Sequence, residues 1–195
     1  MNSSAFIGLG YNFLQLTINS IEELEKQGNK NLLFFDGNLS EDESWLKYDL
    51  QTNWNDNNIA IPVLFNFYHG IELVLKGFIL KCGGEIQKVH NLSLFLENLK
   101  KSPNPPNLEL LNHFEQILSY DLNSFFSSNN KTADDFFELL KYPQLKKGEE
   151  VVFKDIRGLG TTGIQTFVEI KKLSKGVKEN IKYWLKTSLK NEIQH

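Results

Sequence analysis

The fold of this chain is decided by residues Ile59 to Leu99, which read IAIPVLFNFYHGIELVLKGFILKCGGEIQKVHNLSLFLENL. From Ile61 to Leu80 apolar residues fill almost every position, so this segment predicts a helix that is buried on nearly all sides. Gly83 and Gly84 then predict a stop, and a second helix opens near His90. We therefore expect an all-α fold, an antiparallel helical bundle, with the apolar helix at its centre.

A narrow polar edge interrupts the apolar helix, and it consists of Asn66, His69, Glu72 and Lys76. Steps of three and four residues place these side chains along one side of the helix. Buried polar groups need partners, so the edge predicts a contact with neighbouring helices, a second subunit or a ligand. Lys88 and His90 begin the next helix and can converge on the same cleft. Together the six residues form the candidate ligand-binding site.

His90 has two interpretations, and both stay open. As a structural residue it caps its helix and hydrogen-bonds Glu72 or a nearby backbone group. As a functional residue it faces a groove beside Lys88, where an imidazole that titrates near neutral pH serves as acid or base, which makes it the candidate catalytic residue. His69 and Glu72 are three residues apart and could begin a metal site, but no third ligand is identifiable. We predict no metal site and no cofactor.

Three features of this stretch occur together: the Glu-x-x-x-Lys pattern of Glu72 and Lys76, the glycine break after the helix, and a helix opening of the form His-x-Leu-x-x-Leu. Here that opening consists of His90, Leu92 and, in place of the final leucine, Phe95. The combination resembles the HEPN superfamily, small prokaryotic helical domains linked to nucleotides and RNA. The resemblance implies a homodimer that pairs through core helices, with a functional groove at the dimer junction.

The nuclease motif of that superfamily is absent from the sequence. Active HEPN ribonucleases carry an arginine that is separated from a histidine by four to six residues. The arginine here is Arg157, and the histidine that follows it is the terminal His195, so the spacing cannot occur. Lysine lacks the planar two-pronged geometry that suits phosphate, and neither Lys81 nor Lys88 has the right distance to His90. The family's nuclease chemistry is therefore not carried over.

A glycine-rich segment offers a second, weaker site. The sequence RGLGTTG lacks the lysine-serine/threonine end of a phosphate loop, and a plain connection is the commoner interpretation. Small residues can nevertheless expose backbone N–H groups ahead of the positive end of a helix. The candidate anion-binding residues are Arg157, Gly158, Gly160 and Thr161.

Composition sets the outer limits. The 195 residues, 41% of them hydrophobic, suit one domain spanning residues 1–195. A formal net charge of −3 argues against a general basic surface for duplex nucleic acid. Cys82, the single cysteine, excludes an intramolecular disulfide and a zinc site of several thiolates.

The apolar run from Ile61 to Leu80 approaches the length of a membrane span. Its polar edge carries charged residues, which are unfavourable inside a bilayer, and the N-terminal segment lacks the basic lead of a signal peptide. We expect a cytoplasmic protein with no membrane partner.

Helix signals also occur outside the central stretch. A polar loop is expected from Asn53 to Asn58, with Pro62 in the first turn of the central helix, and a loop from Phe125 to Lys131. Asp134, Asp135 and Glu138 are interpreted as a solvated face or as the first-turn acids of a helix. Ser174 and Gly176 could interrupt the last helix. A strand-like run from Glu150 to Ile156 predicts a short extended or hairpin insertion near residues 149–158. Further helices are expected from Ser3 or Ser4 to about Lys26, from Ser40 to Asp49, from Leu108 to Phe126, from Thr132 to Lys141 and from Ile164 to Leu189.

Three classes of function remain, in this order. The first is a noncatalytic HEPN-like module that binds RNA, nucleotide or a cognate partner protein, in a bacterial toxin–antitoxin or phage-defence system. The second is a divergent metal-independent endoribonuclease or toxin that uses His90. The third is a structural helical dimer or assembly subunit.

Overall fold

Helices make up the regular structure of the described part of the chain. A computed structural model describes residues 2–30, 37–122, 124–141, 156 and 161–193, without the side chains of 161–163 and 188–193. The helices are α1 (Ser3–Gln27), α2 (Glu41–Thr52), α3 (Asp56–Lys81), α4 (Leu92–Lys100), α5 (Leu108–Ser119), α6 (Phe125–Ser128), α7 (Ala133–Lys141) and α8 (Thr161–Ile193). No strand occurs among these residues, so the predicted all-α bundle is confirmed.

The apolar helix is α3, and α1, α4, α7 and α8 all pack against it. Its buried side chains include Phe67, Tyr68 and Phe78, which are fully enclosed. Every helix except α2 contributes to the hydrophobic core, and so does Ile156. Burial of this apolar surface is the main favourable term in the stability of the bundle.

The stretch Glu41–Lys81 is long and apolar enough, among the described residues, to span a membrane. However, 72% of its most apolar window is buried inside the bundle. That burial is the pattern of the core helix of a soluble protein, which has the same length and composition.

Local chemistry explains the first two helices. The side chain of Asn2 accepts hydrogen bonds from the backbone of Ser4 and Ala5, so Asn2 rather than a serine caps α1. Gly28 ends the helix with a φ of 73°, in the left-handed region that glycine adopts without strain. Helix α2, predicted to start at Ser40, opens on a capping box in which the side chains of Ser40 and Glu43 each accept from the other residue's backbone N–H.

The predicted loop from Asn53 to Asn58 is wrong, because α3 begins at Asp56. The side chain of Asn55 accepts a hydrogen bond from the backbone N–H of Asn58 and so caps the helix. Because of this cap, the polar residues Asp56 to Asn58 form the first turn of α3. Pro62 therefore lies inside α3 rather than in its first turn, and it cannot donate a backbone hydrogen bond there.

The single helix expected from Leu108 to Phe126 is also wrong. Helix α5 ends at Ser119, and the one-turn helix α6 forms where a loop was predicted. Leu122 and Ser124 have φ values of 41° and 68°, which interrupt a right-handed helix.

By contrast, α8 runs through Ser174 and Gly176 without a break. The Ser174 hydroxyl donates to the carbonyl of Ile170 one turn earlier, and the missing side chain of Gly176 leaves room for the His113 ring. His113 itself is structural, with Nε2 3.2 Å from the carbonyl of Leu173.

The strand-like run from Glu150 lies outside the described residues apart from Ile156.

Helices α1 and α3 approach each other at glycines. A Cβ atom on Gly10 would lie 2.7 Å from the carbonyl oxygen of Gly70, and one on Gly77 would lie 2.5 Å from the Ile7 side chain. Real Cβ atoms do not tolerate such distances, so both positions require glycine. The close approach brings the two backbones together where these glycines lie.

We expect Gly10→Ala to destabilise the protein by about 1–3 kcal/mol, because overpacking outweighs the better helix propensity of alanine. Gly8→Ala is the matched control on the same helix, since no atom lies within 4 Å of its added Cβ. Gly8→Ala should stabilise the protein by about 0.5–1 kcal/mol. Urea denaturation of both variants measures the difference, and equal stabilisation would contradict the close approach.

Candidate functional site

Glu72 is the centre of the polar edge on α3. Its side chain is only 1% exposed. Its Oε1 atom lies 2.8 Å from Lys76 Nζ and 2.6 Å from His90 Nδ1. Its Oε2 atom lies 3.2 Å from His69 Nδ1 and 3.6 Å from Lys141 Nζ. We call these five residues the Glu72 cluster.

Three parts of the chain build this cluster. Helix periodicity places His69 three residues before Glu72 and Lys76 four residues after it, on the same side of α3. His90 comes from the segment before α4, where the Asn91 side chain accepts from the backbone of Leu94 and caps that helix. Lys141 is the last residue of α7.

Asp134 holds two of these helices together. It lies in α7, and its carboxylate accepts hydrogen bonds from the backbone N–H groups of Leu92 and Ser93 at the start of α4. The Ser93 hydroxyl donates to the same carboxylate at 2.5 Å. Asp134 is a first-turn acid of α7, as predicted, and its contact with the start of α4 is one that the sequence did not indicate. By capping α4, it fixes the elements that carry His90 and Lys141.

The cluster determines the ionisation of Glu72. Burial by itself would raise the pKa of this carboxyl, but hydrogen bonds from His69, Lys76 and His90, together with the charge of Lys76, hold the pKa well below its usual range. Glu72 is therefore an ionised carboxylate at neutral pH. Burial lowers the pKa of Lys141, and the nearby Glu72 carboxylate opposes that effect.

Aromatic rings enclose the charged groups. Lys141 Nζ lies 3.7 Å from the centroid of the Phe137 ring, and Lys76 Nζ lies 5.0 Å from that of Phe95. The His69 ring stacks on Phe65 at 5.5 Å. These contacts stabilise the cations while keeping water away from the carboxylate.

The Nδ1 atom of His90 lies between two partners. It is 2.6 Å from Oε1 of Glu72, to which it donates when it carries the proton, and 2.9 Å from Lys141 Nζ, from which it accepts in the other tautomer. Lys141 Nζ also lies 3.6 Å from the Glu72 carboxylate. The His90 side chain is 63% exposed. A carboxylate thus orients an exposed imidazole whose Nε2 can exchange a proton or meet an anion.

The structure brings together four of the six predicted ligand-binding residues, namely His69, Glu72, Lys76 and His90. Asn66 is half-buried on the preceding turn, and Lys88 is exposed. No hydrogen bond or ion pair among the described residues links either of them to Glu72. Sequence reasoning missed Lys141, because its only signal is a basic residue in the last turn of a short helix.

The glycine-rich anion site lies outside the described residues at Arg157, Gly158 and Gly160. Thr161 begins α8, and its side chain is also outside them. Among the residues that are described, no group of three histidine, cysteine or acidic side chains could hold a metal ion.

Comparison with protein-family models, curated protein sequences and solved structures gives no match. The resemblance to HEPN domains therefore depends on the motif in α3 and α4 alone.

We expect Glu72→Gln to destabilise the protein by about 3 kcal/mol, because it leaves partly buried cations without a counter-charge. Glu85→Gln, at an exposed position, is the control and should change stability little. Chemical denaturation at pH 7 measures both.

Acidification provides a second readout of the same variant. A lowered folded-state pKa contributes stability that is present above the unfolded-state pKa of about 4.3 and is lost as the pH falls through the folded value. The wild type should therefore lose stability below about pH 5, and Glu72→Gln should lose less over the same interval. Parallel pH profiles for the two proteins would contradict an ionised, stabilising Glu72.

Proposed function

We propose that this chain is a noncatalytic HEPN-like module that binds the phosphate of RNA or a nucleotide at the exposed edge of the Glu72 cluster. The observation that carries this proposal is the His90 imidazole, which is exposed while a buried carboxylate holds its Nδ1 atom.

The charge of the cluster favours an anion. Lys76 and Lys141 supply two positive charges against the single negative charge of Glu72. Within the five residues of the Glu72 cluster the surplus is one positive charge with the histidines neutral, and Glu138 outside the cluster also acts on Lys141. Lys88, two residues before His90 and exposed, adds a further cation at the solvent side. A phosphate group is the natural ligand for such an edge, because it accepts several charge-assisted hydrogen bonds.

The wider setting is part of the same proposal. A cytoplasmic role in a bacterial toxin–antitoxin or phage-defence system, with a homodimer or a cognate partner protein, is what the HEPN resemblance implies. An exposed apolar surface supports association, because Trp45, Leu46 and Leu50 of α2 are all solvent-accessible.

We expect His90→Ala to weaken binding of adenosine monophosphate or oligouridine about tenfold, because a charge-assisted hydrogen bond is lost. The melting temperature should fall only modestly, because Glu72 loses one hydrogen bond but keeps those to His69 and Lys76. Lys88→Ala should weaken binding to a smaller extent, and Lys101→Ala, at the exposed position that follows α4, is the control. Calorimetric titration and thermal melting of the same samples provide both readouts. A fall in melting temperature with unchanged affinity would assign His90 a structural role instead.

A divergent ribonuclease is the second candidate, and the orientation of His90 favours it. An imidazole fixed at Nδ1 by a carboxylate leaves Nε2 to accept a proton from a ribose 2′-hydroxyl. What is missing is a partner for the scissile phosphate with the geometry of arginine.

We expect little cleavage of tRNA or single-stranded RNA by the purified protein without added metal. The measurement is gel analysis of labelled RNA over time. Strong cleavage that His90→Ala abolishes and Lys101→Ala preserves would replace the binding proposal with this second candidate.

A further inference from the structure

A second set of cations lies on α8, where it packs along α1. Two ion pairs connect these helices: Lys171 pairs with Glu25, and Lys175 Nζ lies 2.8 Å from Glu22 Oε1. As the α8 residue number rises, the α1 residue number falls, so the helices run antiparallel and their contacts form a ladder.

The next contact of the ladder is different. Lys178 Nζ donates to Oε1 of Gln15, where the preceding lysines meet glutamates. The amide is fixed in this role, because its Nε2 atom donates to Asn19 at 2.6 Å. Lys178 Nζ also lies 4.1 Å from the centroid of the Tyr11 ring. A neutral amide and an aromatic ring are thus the partners of this ammonium.

Lys178 is 5% exposed and forms no ion pair with a carboxylate among the described residues. A buried ammonium that has only neutral partners is unfavourable compared with one that has a counter-charge. The nearest acid in the ladder, Glu22, is already paired with Lys175. Among the described residues, the partners of this buried ammonium are therefore neutral.

A cleft of about 260 Å³ opens beside this charge. Its charged lining comprises Lys175, Lys178 and Lys182 together with Glu22 and Glu179, which is a surplus of one positive charge. The volume suits a phosphate group with a small attached moiety better than a drug-sized ligand.

We propose that this cleft is a second anion site, which binds a phosphate group between Lys178 and Lys182. Lys178 supplies the buried charge, and Lys182 contributes from the exposed side of the same helix. The site is separate from the Glu72 cluster, because it is built from α1 and α8 and shares no residue with that cluster. It therefore does not depend on the function proposed above.

The first experiment measures melting temperature in sodium phosphate and in sodium chloride of equal ionic strength. The comparison uses a His90→Ala background, in which phosphate binding at the Glu72 cluster is weakened. Phosphate should raise the melting temperature of that protein by several degrees, and addition of Lys178→Gln should abolish the increase. Lys172→Gln is the matched control, because Lys172 is on the same helix with its side chain 77% exposed and should retain the full increase. A structural role for Lys178 predicts an equal fall in both salts, and that result would overturn the proposal.

Lys182→Gln tests the site without changing a buried group. In the His90→Ala background it should weaken the remaining calorimetric binding of adenosine monophosphate about tenfold, as expected for loss of one charged hydrogen bond. A phosphate-dependent increase in melting temperature that persists in His90→Ala and disappears when Lys178→Gln is added separates this site from the Glu72 cluster.

Titration with two ligands, adenosine monophosphate and oligouridine, distinguishes whether the bound phosphate belongs to a nucleotide monophosphate or to an RNA backbone. Binding of adenosine monophosphate that depends on Lys182, without binding of oligouridine, identifies a nucleotide monophosphate. Binding of oligouridine that depends on Lys182 identifies an RNA backbone. If Lys182→Gln alters neither titration and phosphate gives no increase in the His90→Ala background, the cleft is not an anion site.

Discussion

The buried carboxylate of Glu72 is the interaction on which the arrangement of this bundle depends. A charge at the centre of an apolar helix is unfavourable unless hydrogen bonds and opposite charges surround it. Two of its partners come from the same helix, but His90 and Lys141 must be delivered by other elements. Satisfying one carboxylate therefore fixes where α4 begins and where α7 ends. The consequence is that an exposed imidazole is positioned by a rigid core.

Buried charged groups have different kinds of partner in the Glu72 cluster and along the contact between α1 and α8. Around Glu72, cations exceed the single anion and enclose it almost completely. Along α1 and α8, Lys178 is buried beside a neutral amide, while its neighbours in the ladder have glutamates. Both places leave a surplus of positive charge in a chain whose formal net charge is −3. Exposed charges that are farther apart than a Debye length are largely screened from each other. The local surplus of positive charge, rather than the net charge of the chain, thus determines where an anion would bind.

Close packing of α1 against α3 supports both sites. Gly10 and Gly70 remove the side chains that would separate the two backbones. The carboxylate of Glu72 is then buried on one side of α3. Helix α1 packs against α3 on one of its own sides and pairs with α8 on another. Dispersion attractions across this short distance are individually small but numerous.

The sequence by itself determined the helical class, the apolar centre, the capping box of α2 and the edge that carries His69, Glu72 and Lys76. These features depend on local periodicity and on hydrogen bonds between residues a few positions apart, which a linear pattern records. Even so, local patterns placed the start of α3 too late, because they did not detect the cap at Asn55.

Only the tertiary structure decided which distant groups meet. Lys141 forms an ion pair with Glu72, although the end of α3 and the helices α4 to α7 separate the two residues in sequence. Asp134 likewise caps the helix that begins at Leu92, far from it in sequence. The same holds for Lys178 and Gln15, whose side chains are neighbours only because α8 returns along α1. Nothing in the spacing of these residues indicates their contacts, since pairing between separate elements follows from how their apolar faces pack and not from propensities along the chain.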